Sequence, residues 1–257
     1  MQTSTTEAHM TTDYNQIANQ YKKAKEQPWW TRSVLYSMMN LIGDLADKSV
    51  VDVACGEGWL TRELRKAGAS EVVGVDISEE MIELARRQEA YEPLGIEYRV
   101  EDARAPTSAQ KFDISTSTCL LVYAYNHEEL SMMCGGLARC IKSGGRYVTL
   151  IVNPDLYSMQ ANPPDYRKYG FQARLPESAY EGAPLVWTIY LDDSTIEIEN
   201  YYMPMGAHES ALYEAGFRDV TFHNLTIAPD PQAGEEGNYW EDILRYPPAI
   251  MIDGIKT

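Results

Sequence analysis

The chain has 257 residues, 44% of them hydrophobic and 23% charged, an ordinary globular usage that leaves no room for wholesale disorder or a fibrous repeat. Its 38 acidic against 22 basic residues give a formal net charge of −16. A surface that negative repels phosphate backbones and anionic headgroups and carries no basic patch to offset this, so neither nucleic acid nor membrane is an expected partner; a small molecule, planar or cationic, is.

Residues 1–12, polar and rich in threonine, read as a disordered N-terminus and not as a charged-then-apolar signal. From Asp13 the residues Ile17, Ala18, Tyr21 and Ala24 recur at helical spacing, a second such stretch runs from about Thr31 to Ala46, and Pro28 divides them. Residues 13–46 therefore read as an N-terminal helical lid. The run from Ser49 to Ala54 reads as a buried strand, halted by Cys55-Gly56-Glu57-Gly58 and followed by a helix from Trp59 to Ala67. The unit recurs as a strand from Glu71 to Val75, then Asp76, then a helix opened by Ser78 with Met81, Ile82 and Ala85 on one face.

Strands follow from Ile96 to Val100, Phe112 to Thr116 and Arg146 to Val152, with a helix from His127 to Ile141 terminated at Gly144-Gly145. This alternation over 47–152 predicts a parallel sheet covered on both faces. Prolines then break the pattern, and β-like runs from Leu185 to Leu191 and Thr195 to Tyr202 flank Asp192-Asp193-Ser194, so 153–205 reads as an insertion ending in a hairpin. A helix from about Gly206 to Ala215, a strand from Phe217 to Ile227 and an apolar run from Ala249 to Ile255 make 206–257 the last part of the core sheet. No apolar run reaches the roughly 18 residues of a membrane span. Cys55, Cys119, Cys134 and Cys140 match neither paired CxxC knuckles nor a dense disulfide framework, so no metal site and a cytoplasmic location are expected.

The first strand ends in Asp52-Val53-Ala54-Cys55-Gly56-Glu57-Gly58 and the second in Asp76, about twenty residues after Gly56. Open α/β sheets bind ligands at strand ends beside a reversal of strand order, and an acid at the second strand end accepts hydrogen bonds from ribose hydroxyls. The spacing predicts a nucleoside site. A dinucleotide fold would carry a third glycine where Thr61 stands, which argues against NAD and for a ligand without a pyrophosphate.

These residues resemble the class I S-adenosylmethionine-dependent methyltransferases, and the resemblance spans roughly Asp13 to Lys256. It implies an α/β, Rossmann-like fold with a seven-stranded, mostly parallel sheet, the helical lid and an inserted β-hairpin cap. It implies S-adenosyl-L-methionine as cofactor, with Asp52, Ala54, Gly56 and Gly58 at the first turn, Asp76 on the ribose, Ile77 and Met81 along the adenine, and Asp102 with Ala103 at its amino group. Thr118, Cys119 and Leu120 would face the sulfonium, and Tyr14, Tyr21 and Trp29 would close over it. A fainter resemblance is to small-molecule members of the toxoflavin azapteridine N-methyltransferase kind, in Val72-Val73-Gly74-Val75-Asp76-Ile77-Ser78-Glu79, Asn153-Pro154-Asp155, Lys168-Tyr169-Gly170, Ala215-Gly216-Phe217 and Tyr239-Trp240.

Aromatic residues on the lid and the insertion suit a sulfonium or a flat heterocycle, so Tyr123, Asn153, Trp187 and Tyr202 are the expected acceptor contacts. His127 and His208 are the candidate general bases, although direct in-line displacement by a basic nitrogen requires none. The expected reaction is N- or O-methylation of a small molecule. Two alternatives stand beside it: a cyclase that turns S-adenosylmethionine on its own amino-acid tail to give a small-ring amino acid and methylthioadenosine, and a non-catalytic nucleoside-binding subunit.

Overall fold

The computed structural model describes residues 12–159, 164–229 and 239–257. The expected disordered start falls almost wholly outside them.

Strand β1 (Ser49–Val53) is buried at every position, the mark of a strand covered on both faces. It pairs in parallel with β2 (Glu71–Asp76) on one side and β4 (Phe112–Thr118) on the other. With β3 (Glu97–Val100), β5 (Ile141–Val152), β9 (Phe217–Asn224) and β10 (Ala249–Lys256), they form a seven-stranded sheet of order β3-β2-β1-β4-β5-β10-β9, in which only the two β10 pairings are antiparallel. Successive strand residues serve opposite faces. Val50 and Val72 join one apolar core with Leu60 and Leu64 of α3 (Trp59–Lys66) and Ile82 of α4 (Glu79–Tyr91). Val51 and Val73 join the other, with Leu130 and Leu137 of α5 (His127–Cys140) and Leu212 of α6 (Met205–Glu214). The order reverses between β1 and β4, which opens a crevice at their carboxyl ends.

Before the sheet lie α1 (Tyr14–Ala24), a π-helical stretch (Trp29–Leu35) begun at Pro28, and α2 (Tyr36–Ile42). Asp13 caps α1 by accepting from Asn15 N. The second expected helix is thus shorter than its apolar pattern, and its first turns are widened into a π conformation that buries Trp29 and Trp30.

Three further departures from the sequence pattern have physical reasons. Gly144 and Gly145 do not end a helix; they lie in β5, where an irregular stretch from Ile141 to Arg146 spans the step from Phe112 to Ile114 on β4. A Cβ on Gly145 would lie 2.7 Å from the Asp113 carbonyl oxygen, so the glycine is there for close backbone approach. The insertion is a three-stranded antiparallel sheet of β6 (Phe171–Arg174), β7 (Pro184–Tyr190) and β8 (Thr195–Tyr201). The hairpin is present, and β6, too short to show an alternation, adds to it. The short helix α7 (Glu241–Arg245) carries no helical signal in the sequence. No helix among the described residues is long and apolar enough to cross a membrane.

Gly58 holds a left-handed conformation at φ 82° ahead of α3, and a Cβ there would sit 2.4 Å from the Tyr98 hydroxyl oxygen. Tyr98 is itself buried. Gly58→Ala combines backbone strain with overpacking and is expected to cost about 2–4 kcal/mol, a fall in Tm of about 5–10 °C. A thermal melt checks this, and an unchanged Tm would mean that the ring moves aside freely.

Candidate functional site

At the carboxyl ends of β1 and β4 the chain turns through Ala54 (φ 59°) and Cys119 (φ 64°). Both are non-glycine residues in the left-handed region, a strain of order 1–2 kcal/mol each that concentrates at functional sites. Both line a cleft of about 900 Å³ counted to its open mouth. Gly56, at φ 56°, turns its N–H to Asp76 Oδ2 at 2.8 Å, and Ser78 N donates to Oδ1 at 2.9 Å. Burial pushes the Asp76 carboxyl up, opposed by the backbone N–H groups of Ser78, Gly56 and Ile77. A carboxylate offers about four acceptor directions, and the hydrogen bonds from Gly56 N and Ser78 N take two of them, which leaves acceptor capacity for a ligand. Beside it, Ile77 is 43% exposed, an apolar surface left uncovered on the cleft wall.

Just past β3, the neighbour of β2, Arg104 grips Asp102 through Nε and Nη2, the latter 2.7 Å from Oδ2, and reaches Glu129 at 3.2 Å. Burial raises the Asp102 carboxyl, but the Arg104 guanidinium and backbone N–H outweigh it and hold it below the usual carboxylate range. Asp102 is therefore ionised and largely committed to Arg104, with less capacity for a ligand amino group than Asp76 has for hydroxyls.

A side recess of about 340 Å³ brings together Asp52, Lys25, Glu57, Gly56 and Thr118. Asp52 accepts from Thr61 Oγ1 at 2.7 Å and Thr116 Oγ1 at 2.9 Å, and burial nevertheless pushes it up to about 6. Lys25 is 6% exposed, and among the described residues its ammonium has no hydrogen-bond partner. It sits 3.2 Å from the Trp30 ring centroid, with Tyr21 and Trp59 also within cation–π range. Burial drives it down to about 8.

Helix α1 closes over the cleft. Ser78 Oγ, which caps α4 by accepting from Met81 N, donates to Asn15 Oδ1 at 2.7 Å. Tyr14 packs edge-on to Tyr21 and Tyr123, and the hydroxyls of Tyr14 and Tyr123 are hydrogen-bonded. Behind these rings lies a second cavity of about 640 Å³, walled by Trp29, Trp30, Phe171 and Trp187 with Gln27 and Asn200. Tyr14, Tyr21, Cys119 and Tyr123 line both cavities.

Of the residues singled out in the sequence, the structure gathers Tyr14, Tyr21, Ala54, Gly56, Asp76, Ile77, Met81, Asp102, Ala103, Thr118, Cys119, Leu120 and Tyr123 around the cleft, and Asp52 in its recess. Trp29, expected over the cleft, lies with Trp187 on the second cavity. Gly58 lines none of these spaces; the Tyr98 ring claims it. Asn153 is a buried joint, donating to the Pro247 carbonyl at 2.9 Å and accepting from Asp155 N, and Tyr202 packs against Tyr157 with centroids 4.4 Å apart and the rings tilted by 50°. Neither lines either cavity, which corrects their expected acceptor contacts. The two histidines are corrected likewise. His127 opens α5 at the surface, 3.6 Å from Glu214, and His208 is buried in α6, where desolvation lowers it to about 4. Lys25, Arg104, Gln27 and Asn200 escape a reading by motif. Lys25 alone had a signal, since it continues the three-four spacing of Tyr14, Ala18 and Tyr21.

Residues 50–145 match the methyltransferase domain family. A ubiquinone biosynthesis O-methyltransferase of Coxiella burnetii is 33% identical over 139 residues, 49% of this chain and 58% of the relative, so the chain spans under two thirds of that protein's length. N-demethylindolmycin N-methyltransferase of Streptomyces griseus is 25% identical over 185 residues, 71% of this chain and 75% of that protein. A solved S-adenosylmethionine dependent methyltransferase from Mesorhizobium loti superimposes with a TM-score of 0.60 at 21% identity, covering 91% of this chain and 100% of that one, a likeness of fold.

Proposed function

We infer, from the membership of residues 50–145 in the methyltransferase domain family, that this chain is an S-adenosylmethionine-dependent methyltransferase acting on a small molecule by direct displacement. The observation that carries the reading is the pair of cavities meeting at one wall: a cleft with nucleoside-binding chemistry and a separate aromatic chamber, joined at Tyr14, Tyr21, Cys119 and Tyr123.

The residues present fit the cofactor. Asp76 keeps acceptor capacity for ribose hydroxyls, Ile77 offers an apolar face to adenine, and the recess holds groups of opposite charge for a zwitterionic tail. Asp52 would take the tail's ammonium and Lys25 its carboxylate. When bound, S-adenosylmethionine supplies a methyl group on a cationic sulfur, open to attack by an acceptor lone pair. The chain's contribution is to position and to exclude water. The hydrogen-bonded Tyr14 and Tyr123 hydroxyls keep the junction polar yet closed, and the rings of Tyr14 and Tyr21 offer aromatic faces to a cation.

The decisive experiment is mass spectrometry of the purified protein with S-adenosylmethionine, alone and with candidate acceptors. S-adenosylhomocysteine formed only with an acceptor is the expected result. Steady methylthioadenosine without one would replace methyl transfer by tail cyclisation.

The polar contacts of α1 with α4 lie at exposed or part-buried positions: Asn15 Oδ1 accepts from Ser78 Oγ and Glu80 N, and Lys22 donates to Gln88 Oε1. Amide exchange over Tyr14–Ala24 is therefore expected to slow severalfold when S-adenosylhomocysteine is added. Equal exchange with and without it would make α1 a fixed wall and not a lid.

A further inference from the structure

The second cavity differs from the cleft in one respect: among the described residues none that lines it carries a charge, and none is a histidine. Its side-chain polar groups are the Tyr14, Tyr21 and Tyr123 hydroxyls, the Cys119 thiol, the Gln27 and Asn200 amides and the indole N–H groups of Trp29, Trp30 and Trp187. Burial raises the three phenols and the thiol, so all four keep their protons near neutrality and none can take one from an acceptor. The Gln27 amide donates through Nε2 to the Tyr190 carbonyl at 2.7 Å, which leaves Oε1 as a buried acceptor with no partner among the described residues. A buried acceptor without a partner is a cost to the fold, and a ligand N–H would relieve it.

We propose that the acceptor is a flat, neutral nitrogen heteroaromatic held between the cavity's aromatic walls, donating one N–H to Gln27 Oε1 and methylated on a nitrogen that needs no base. This rests on the methyl-transfer reading above and deepens it. A hydroxyl oxygen becomes a good nucleophile only as its proton leaves, and among the described residues the walls hold no group to receive it. A neutral ring nitrogen already has its lone pair. That pair forms the N–CH₃ bond while the C–S pair returns to sulfur, and the positive charge passes from sulfur to the methylated ring. Any ring N–H proton is then lost to water after release. An anionic acceptor is disfavoured, because among the described residues no cation lines the chamber to offset its desolvation; the Lys25 ammonium, which lines the recess, is screened from it by the Trp30 ring.

Three bicyclic probes of similar size separate these possibilities: quinazolin-4-one, which is neutral with an N–H and a ring nitrogen; 2-naphthol, with a hydroxyl as its only nucleophile; and 2-naphthoate, an anion. Each is titrated against the full chain saturated with S-adenosylhomocysteine, read by quenching of the tryptophans, three of which wall the cavity. Each is then incubated with S-adenosylmethionine and analysed by mass spectrometry. Quinazolin-4-one should bind and be N-methylated, 2-naphthol should bind without O-methylation, and 2-naphthoate should do neither. Gln27→Met should weaken quinazolin-4-one about tenfold. It should leave S-adenosylhomocysteine affinity unchanged, which also reports that the variant folds. Turnover of 2-naphthol at the rate of the heterocycle, binding of 2-naphthoate, no binding of quinazolin-4-one, or an unchanged affinity in folded Gln27→Met would each overturn the proposal. The wild-type panel decides by itself if the variant does not fold. Failure of S-adenosylhomocysteine to bind at all would instead overturn the methyltransferase reading.

Discussion

Replacing Asp76 by alanine should weaken S-adenosylhomocysteine binding by about ten- to a hundredfold, the loss of charge-assisted hydrogen bonds worth roughly 1.5–3 kcal/mol. The sequence alone predicts little change in folding, because an acid at a strand end reads as solvated. The structure makes Asp76 the acceptor for Gly56 N and Ser78 N as well, tying the first turn to the start of α4. Alanine therefore also strands two backbone donors and should cost about 2–4 kcal/mol of stability. Asp76→Asn, which keeps one acceptor oxygen, should recover more of the stability than of the affinity. Calorimetric titration and a thermal melt on both variants check this, and wild-type affinity in a folded Asp76→Ala would remove the ribose assignment.

Lys25→Met should move stability and affinity in opposite directions. The buried ammonium is held near 8 against an ordinary value of 10.5, so at neutral pH folding carries the cost of desolvating a charge. Methionine removes that cost and should stabilise the free protein by roughly 1–3 kcal/mol. The same substitution removes the partner of a buried carboxylate and should weaken S-adenosylhomocysteine roughly thirty- to a thousandfold.

The pH dependence follows with its sign. The folded value of Lys25 lies below the unfolded one, so between about pH 8 and 10.5 the unfolded chain binds more protons. The desolvation penalty fades as pH rises through that window, and the stability advantage of Lys25→Met shrinks with it. Ligand affinity runs the other way, falling above about pH 8 as the ammonium is lost. It also falls below about pH 6 as Asp52 takes up its proton. Titrations from pH 5 to 9.5 should show a plateau between 6 and 8 in the wild type, with the upper limb absent from Lys25→Met. A flat profile in both would dissociate Lys25 from the ligand.

The contrast between Asp76 and Lys25 shows what a sequence can carry. Asp76 was legible because it ends an apolar run at a set distance from a glycine turn, and strand ends at a switch point converge whatever the loops do. Lys25 continues the three-four spacing of Tyr14, Ala18 and Tyr21, but as a lysine close to Lys22 and Lys23 it reads as one more solvated charge. The π-helical stretch that places Trp30 against it, and α3 that brings Trp59, bury it, whereas Lys23 stays exposed. Asn153 and Tyr202 misled for a related reason. Both follow strands and flank the insertion, but their side chains are consumed by the joint with Pro247 and the packing on Tyr157. Of the second cavity only the aromatic members Tyr123 and Trp187 were read from the sequence as acceptor contacts, and its outline was not. Gln27, Leu150, Phe171, Trp187, Asn200 and Pro248 share no motif and meet only after the insertion folds back onto the first helix.

Tyr14, Tyr21, Cys119 and Tyr123 belong to both cavities at once, and that common wall ties two equilibria together. Two of the four stand on α1, so any ordering of α1 by one ligand is already in place when the other arrives. The factor by which the nucleoside raises affinity for the acceptor must then equal the factor by which the acceptor raises affinity for the nucleoside. Saturation with either ligand should therefore lower the dissociation constant of the other by one and the same factor, which paired calorimetric titrations measure.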